Sequence, residues 1–150
     1  MKVYLDVSCL NRPFDDQTQP RIRLEAEAVT IILERMDAGI WEPVSSRMAE
    51  IEAEAIADHA RRRRVLFLLP TDRIELSPGI YHRARRLVAC GLHAADAMHV
   101  AAAEALSADV FLTCDDRLLK QCRRNADELN IDVDNPLQWL QEQNDATNPR

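Results

Sequence analysis

Asp6, Glu50, Asp96 and Asp115 stand where apolar runs stop or helical patterns start, and carboxylates gathered by a fold can hold a divalent cation. The first closes Val3-Tyr4-Leu5-Asp6 and the last closes Val110-Phe111-Leu112-Thr113-Cys114-Asp115. Short, continuous apolar runs suit parallel strands buried on both faces. Carboxylates cannot converge uncompensated, because like charges close together raise one another's pKa. A hard cation resolves the repulsion. Oxygen donors without a cysteine or histidine pair favour Mg²⁺ or Mn²⁺ over zinc. A water activated by such a cation and an acid is an in-line nucleophile for a phosphodiester.

The acids are unequally marked. Asp96 lies in Ala94-Ala95-Asp96-Ala97-Met98-His99-Val100-Ala101-Ala102-Ala103, either as an exposed first-turn acid favoured by the helix dipole or as a buried acid held for chemistry. Its small, apolar neighbours favour the second reading. His99, one turn later, reads as a supporting hydrogen bonder rather than a ligand. Glu50 competes with Glu52 and Glu54: Glu50 and Glu54 share a helix face, Glu52 points elsewhere, and Glu50 lies nearest the helix start. Glu54 reads as solvated. Of Asp115 and Asp116, one can face a pocket while the other caps the helix that begins near Arg117, and Asp116 stays open between cap and ligand. Thr113 can add a hydroxyl there, whereas His59, His82 and His93 read as surface or packing residues.

The elements that must position these residues alternate along the chain. Strands are expected at Lys2–Asp6, Ile40–Val44, Arg73–Leu76, Asp109–Thr113 and Ile131–Val133. A polar loop, Asn11 to Asp16, precedes a helix from Arg21 to Met36 that Gly39 stops. Ser45 or Ser46 caps the helix carrying Glu50, which closes in Arg61–Arg64 and continues apolar to Pro70, either as one helix or with a successor. Ser77-Pro78 opens a helix that ends at Gly91, and further helices cover Ala94–Leu106 and Arg117–Leu129. A short last helix from Asn135-Pro136 runs through Leu140, and residues 144–150 read as a frayed polar tail behind a single domain over residues 1–143. This is the pattern of a three-layer α/β/α fold with a central parallel sheet of about five strands. Function is then expected at the carboxyl ends of the strands, where strand order reverses.

Composition sets limits. The chain of 150 residues is 47% hydrophobic, enough for one sizeable core. No run approaches the roughly 18–20 apolar residues of a membrane span, and a strand pattern starts at once, so a cytoplasmic protein is expected. Cys9, Cys90, Cys114 and Cys122 form no C-x-x-C pair and read as buried thiols. The net charge of −6 argues against a general nucleic-acid binder. Setting four acids against a bound cation brings the remainder close to neutrality, which leaves room for a modest phosphate-binding face.

Leu5-Asp6-Val7-Ser8, Ser45-Ser46 with Glu50, Asp96-Ala97-Met98-His99-Val100-Ala101, Leu112-Thr113-Cys114-Asp115 and the late Asn135-Pro136 together resemble the PIN domain, as in VapC-type toxins of bacterial toxin–antitoxin pairs. The resemblance covers nearly the whole chain. It implies a Mg²⁺- or Mn²⁺-dependent endoribonuclease, a small antitoxin partner and a homodimer. Residue by residue, it implies that Asp6, Asp96 and Asp115 are metal ligands and that Glu50 is a ligand or the base that orients water. Ser8 matches the small polar residue after the first acid, Thr113 the threonine before the last, and Asp116 is an additional acid. The polar insert after Asp6 and the glutamate-rich second helix depart from the family pattern.

Arg12, Arg117, Arg123 and Arg124 are candidates for phosphate contact or simply solvated, and Arg61–Arg64 is a solvated helix end or a site for an acidic partner or RNA. Two other readings compete. A non-catalytic PIN-like module binding RNA or protein is weakened by the presence of all four acids. A phosphatase or transferase with Asp6 as nucleophile is weakened by Ser8, which stands where its second acid belongs.

Overall fold

The computed structural model describes residues 1–147. Val3, Tyr4 and Leu5 are all buried, as befits a central strand covered on both faces, and they form β1 (Lys2–Leu5). It pairs in parallel with β2 (Glu42–Val44) on one side and β3 (Val110–Leu112) on the other, with Tyr4 opposite both Val44 and Phe111. β4 (Asp132–Asp134) pairs in parallel outside β3, giving the order β2-β1-β3-β4. Neighbours β2 and β3 diverge from β1 to either side, so the crevice expected at a switch of strand order opens at the carboxyl ends of β1 and β3.

Alternation along the strands divides the core. Val3, Leu5, Val110 and Leu112 face α1 (Val7–Asn11), α2 (Pro20–Asp37), α4 (His59–Leu68) and α8 (Pro136–Thr147), where Trp41 and Trp139 meet at 4.7 Å. Tyr4 and Phe111 face the other way, stacked at 5.1 Å between centroids, among residues of α5 (Pro78–Ala89), α6 (Ala94–Ala105) and α7 (Asp116–Arg124). α6 buries Ala97, Ala101, Ala102 and Ala103, and such small side chains let it lie close to α5 and the sheet. The result is the expected α/β/α layering.

The sheet has four strands rather than about five. Residues 73–76 contribute one parallel bridge, Ile74 to Ser46, with Ile74 N–H donating to Ser45 O and Arg47 N–H donating to Ile74 O. The chain leaves the sheet as α3 (Arg47–Glu54) at Arg47, and Ser77-Pro78 opens α5 soon afterwards, so no longer ladder can form. The expected continuous helix through the arginine run breaks between Glu54 and His59, where Asp58 caps Arg61 N–H at 2.8 Å.

Between Asp6 and the expected polar loop, Asn11 to Asp16, lies α1, and the loop itself contains a 3₁₀ turn at Arg12–Phe14, clamped by Arg12 and Arg61 on Asp15. Arg64 stacks over Phe14 at 5.6 Å. The expected helix to Leu129 stops at Arg124, followed by a 3₁₀ turn at Ala126–Glu128. Gly39 and Gly91, with φ of +77° and +107°, end α2 and α5 in the left-handed region as expected. The expected frayed tail is helical as far as Thr147, and residues 148–150 lie outside the described residues. Among the described residues, no helix is long and apolar enough to cross a membrane.

Candidate active site at the carboxyl edge of the sheet

Asp6 follows directly on β1, and its backbone N–H continues the pairing by donating to Leu112 O at 2.9 Å. Its carboxylate is buried, and Oδ2 accepts two hydroxyl hydrogens, from Ser8 Oγ and Thr113 Oγ1, each at 2.8 Å. Both hydroxyls are fixed in turn, because Ser8 Oγ accepts from Cys114 N–H at 3.1 Å and Thr113 Oγ1 from Asp115 N–H at 3.0 Å. Ser8 and Thr113 thus lock one oxygen of Asp6 and leave Oδ1 without a hydrogen bond from the described residues.

Asp115 is the N-cap of α7, with Oδ1 accepting from Arg117 N–H at 3.0 Å and Leu118 N–H at 3.3 Å. Its Oδ2 lies 3.8 Å from the Arg117 guanidinium. Asp116 turns away to form a two-pronged pair with Arg21 of α2, Nη1 to Oδ2 at 2.6 Å, and that pair lowers its pKa. The cap is therefore Asp115, and Asp116 is tied to a neighbouring helix.

Asp96 sits in the first turn of α6 with its side chain 16% exposed. Its Oδ2 is enclosed and makes no hydrogen bond, and the nearest cation, Arg117, is 3.9 Å away. Burial, then the charges of Asp6 and Asp115, with a smaller push from Glu52, raise its pKa to about 6. Asp96 thus lies within electrostatic reach of Asp6, Asp115 and Glu52.

On α3 it is Glu52, not Glu50, that faces Asp6 and His99. Glu50 is held on the other flank of α3, where Oε2 accepts from Arg73 Nε at 2.9 Å and Arg47 pairs with Oε1, and these arginines lower its pKa. Glu54 is exposed, 3.7 Å from Arg47. Ala49 and Ala53 define the buried stripe of α3, and Glu50 and Glu52 lie about 80° to either side of it. Helical periodicity cannot choose between two symmetric flanks. Tertiary packing does, because the Glu52 flank meets α6.

There Glu52 Oε2 lies 3.0 Å from His99 Nε2, outside good hydrogen-bond geometry. His99 is fully buried, and its Nδ1 is 2.7 Å from Tyr4 Oη, which is 2.6 Å from Ser46 Oγ. Burial opposes charge on His99, but the carboxylates of Glu52, Asp6 and Asp96 outweigh it and raise the pKa. Asp6, Glu52 and His99 each offer a ligand atom within 4.8 Å of the others. Spacing does not single out Tyr4, reads Ser46 only as a cap and motif residue, and points Glu52 elsewhere; here Tyr4 and Glu52 adjoin His99, and Ser46 adjoins Tyr4.

The arginines divide. Arg117 is 58% exposed at the rim, whereas Arg12 is committed to Glu25 and Asp15, and Arg123 reaches Asp134 and Gln138. Glu25 is itself buried and joins Arg12 to Asn135, pinning the start of α8. Cys9, Cys90, Cys114 and Cys122 are free thiols, and Cys9 and Cys114 sit 3.8 Å apart beneath the rim. His59, His82 and His93 are exposed. A cavity of about 820 Å³ lies beside β4 and the start of β3, and none of Asp6, Glu52, Asp96 and Asp115 lines it.

The sequence pattern of the PIN domain matches residues 3–124. Among solved structures, FitAcB from Neisseria gonorrhoeae superposes with a TM-score of 0.56 at 15% identity, covering 89% of this chain and 97% of that one. That likeness is one of fold. No curated protein matches the sequence significantly.

Proposed function

Because the chain belongs to the PIN domain family, we propose that it is a divalent-metal-dependent endoribonuclease, hydrolysing RNA phosphodiester bonds with an activated water. The observation that carries this reading is Asp96: a largely buried carboxylate with an enclosed oxygen that makes no hydrogen bond, its pKa raised by burial and by the charges of Asp6, Asp115 and Glu52. The carboxylates outnumber the Arg117 guanidinium beside them, and Mg²⁺ or Mn²⁺ fits the donors available. Asp6, Asp96, Asp115 and Glu52 would hold the cation. In this reading Glu52 would stand where spacing favoured Glu50.

When bound, the cation supplies charge neutralisation, an activated water and stabilisation of the leaving oxygen. The chain's own residues supply the positioning. Ser8 and Thr113 fix Asp6 so that its free oxygen is presented without rotation. The cap bonds fix Asp115 in the same way. Arg117, exposed beside Asp96 and Asp115, is placed to receive a substrate phosphate.

The VapC likeness extends the reading to the toxin of a toxin–antitoxin pair with a small antitoxin and a homodimeric state. An adjacent small DNA-binding open reading frame tests the first, and light scattering at micromolar concentration the second. The activity itself is tested by cleavage of total RNA with Mg²⁺ or Mn²⁺, comparing wild type with Asp6→Asn, Asp96→Asn and Glu52→Gln. Wild-type cleavage lost in the variants supports the reading. Equal cleavage in all four sinks the site, and a wild type that binds RNA without cleaving it favours a binding module.

A further inference from the structure

We propose that His99 is itself a ligand of the cation, through Nε2, so that the site prefers first-row transition cations such as Mn²⁺ and Co²⁺ to Mg²⁺. This deepens the metal-dependent reading above and rests on it.

Two independent observations carry the assignment. His99 Nε2 is completely enclosed and makes no hydrogen bond, although Glu52 Oε2 lies only 3.0 Å away. The ion pair with Glu52 is too poorly aligned to satisfy the atom fully, and a buried polar atom short of a good partner is costly, so Nε2 is open to a cation held between it and the carboxylates. The second observation is on the other side of the ring. Nδ1 is 2.7 Å from Tyr4 Oη, and Tyr4 Oη is 2.6 Å from Ser46 Oγ, all three side chains being fully buried.

Imidazoles that bind metal through one nitrogen almost always donate the other N–H to an oxygen, which fixes the tautomer and ring orientation. Tyr4 is that oxygen here. With the proton on Nδ1, His99 donates to Tyr4, Tyr4 donates to Ser46, and the Nε2 lone pair is left facing Asp6 and Glu52. The ligand atoms of these three residues lie within 4.8 Å of one another, so one ion can reach all of them.

The consequence is selectivity. Mg²⁺ favours oxygen donors, whereas an imidazole nitrogen suits the transition cations, with affinity rising from Mn²⁺ through Fe²⁺ to Co²⁺. An all-carboxylate site would discriminate little between Mg²⁺ and Mn²⁺. One nitrogen changes the ranking without any change in the number of acids.

The test is direct. Pulsed electron paramagnetic resonance on the wild-type protein loaded with Mn²⁺, with and without ¹⁵N-histidine, should show coupling to a coordinated nitrogen, and His99→Gln should abolish it. Calorimetry should show His99→Gln weakening Co²⁺ by at least about tenfold while Mg²⁺ affinity changes little. If His99→Gln does not fold, Tyr4→Phe serves, with Co²⁺ affinity falling by about 10–100-fold and Mg²⁺ again spared. Mn²⁺ bound with no nitrogen coupling overturns the assignment of His99 and leaves the metal site standing. Binding of neither cation by wild type overturns both.

Discussion

Thr113 donates its hydroxyl hydrogen to Asp6 at 2.8 Å, joining two acidic strand ends separated by 107 residues of chain. The same oxygen accepts the Asp115 N–H. One side chain therefore sets the orientation of the first acid and the backbone of the last. Replacing it with the isosteric valine removes both interactions while keeping the volume. Thr113→Val should cost about 1–2 kcal/mol in denaturant unfolding, since a buried acceptor and donor lose a partner. Cleavage should fall by more than that loss of folded protein explains, and an unchanged rate per folded molecule would refute the positioning role.

Glu52 and Glu50 should part company on substitution. Glu52→Gln removes an acid from the cluster around Asp96 and should lower cleavage by about a hundredfold or more. Glu50→Gln weakens a partly exposed pairing with Arg73 and Arg47 and should leave cleavage near wild type, with little change in unfolding. Single-turnover cleavage assays on the two variants decide between the flanks of α3. The reverse ranking would restore the assignment that spacing suggested.

Stability without metal should fall as pH rises. Asp96 is raised from 3.8 to about 6, so across that window the folded form binds more protons than the unfolded form, and each rise in pH favours unfolding. His99 is raised above 6.5, and its contribution, fully present below that value, is lost as pH climbs through its folded pKa. The two trends add. Urea midpoints measured in chelator from pH 4 to 8 should decline, and saturating divalent cation should flatten the decline. Asp96→Asn, which imitates the protonated acid, should stabilise the metal-free protein at neutral pH by on the order of 2 kcal/mol. A midpoint that rises with pH would contradict the unbalanced charge at the site.

Asp115→Asn and Asp116→Asn isolate chemistry from capping. Asparagine caps a helix about as well as aspartate, so Asp115→Asn should unfold within about 0.5 kcal/mol of wild type while losing cleavage and cation affinity. Asp116→Asn loosens the Arg21 pair at the surface and should retain both functions. Thermal unfolding and cation titration of the pair supply the comparison.

What was legible in the chain follows from how local each signal is. Strands β1 and β3 are covered on both faces, so they read as unbroken apolar runs, and the acids that close them stand out. Asp96 stands out because its neighbours are alanines. Glu52 does not, because it and Glu50 flank the Ala49–Ala53 stripe symmetrically and only the packing of α3 on α6 separates them. Tyr4 and His99 meet across 95 residues of chain, and Tyr4 reads in sequence as one more strand aromatic. The third expected strand failed for a similar reason: the composition of residues 73–76 allows extension, but the departure of α3 removes the partner that extension needs.

The single bridge at Ile74 also bears on how the protein behaves in a crowded solution. It leaves β2 as an outer strand, and β2 is only Glu42-Pro43-Val44, with a proline that has no N–H to offer and a charge beside it. The opposite border, β4, is Asp132-Val133-Asp134. Both margins are short and acidic, so a second copy that tried to extend the sheet would meet like charge and a broken ladder. The negative charge that argues against general nucleic-acid binding thus also guards the sheet against fibre-like growth.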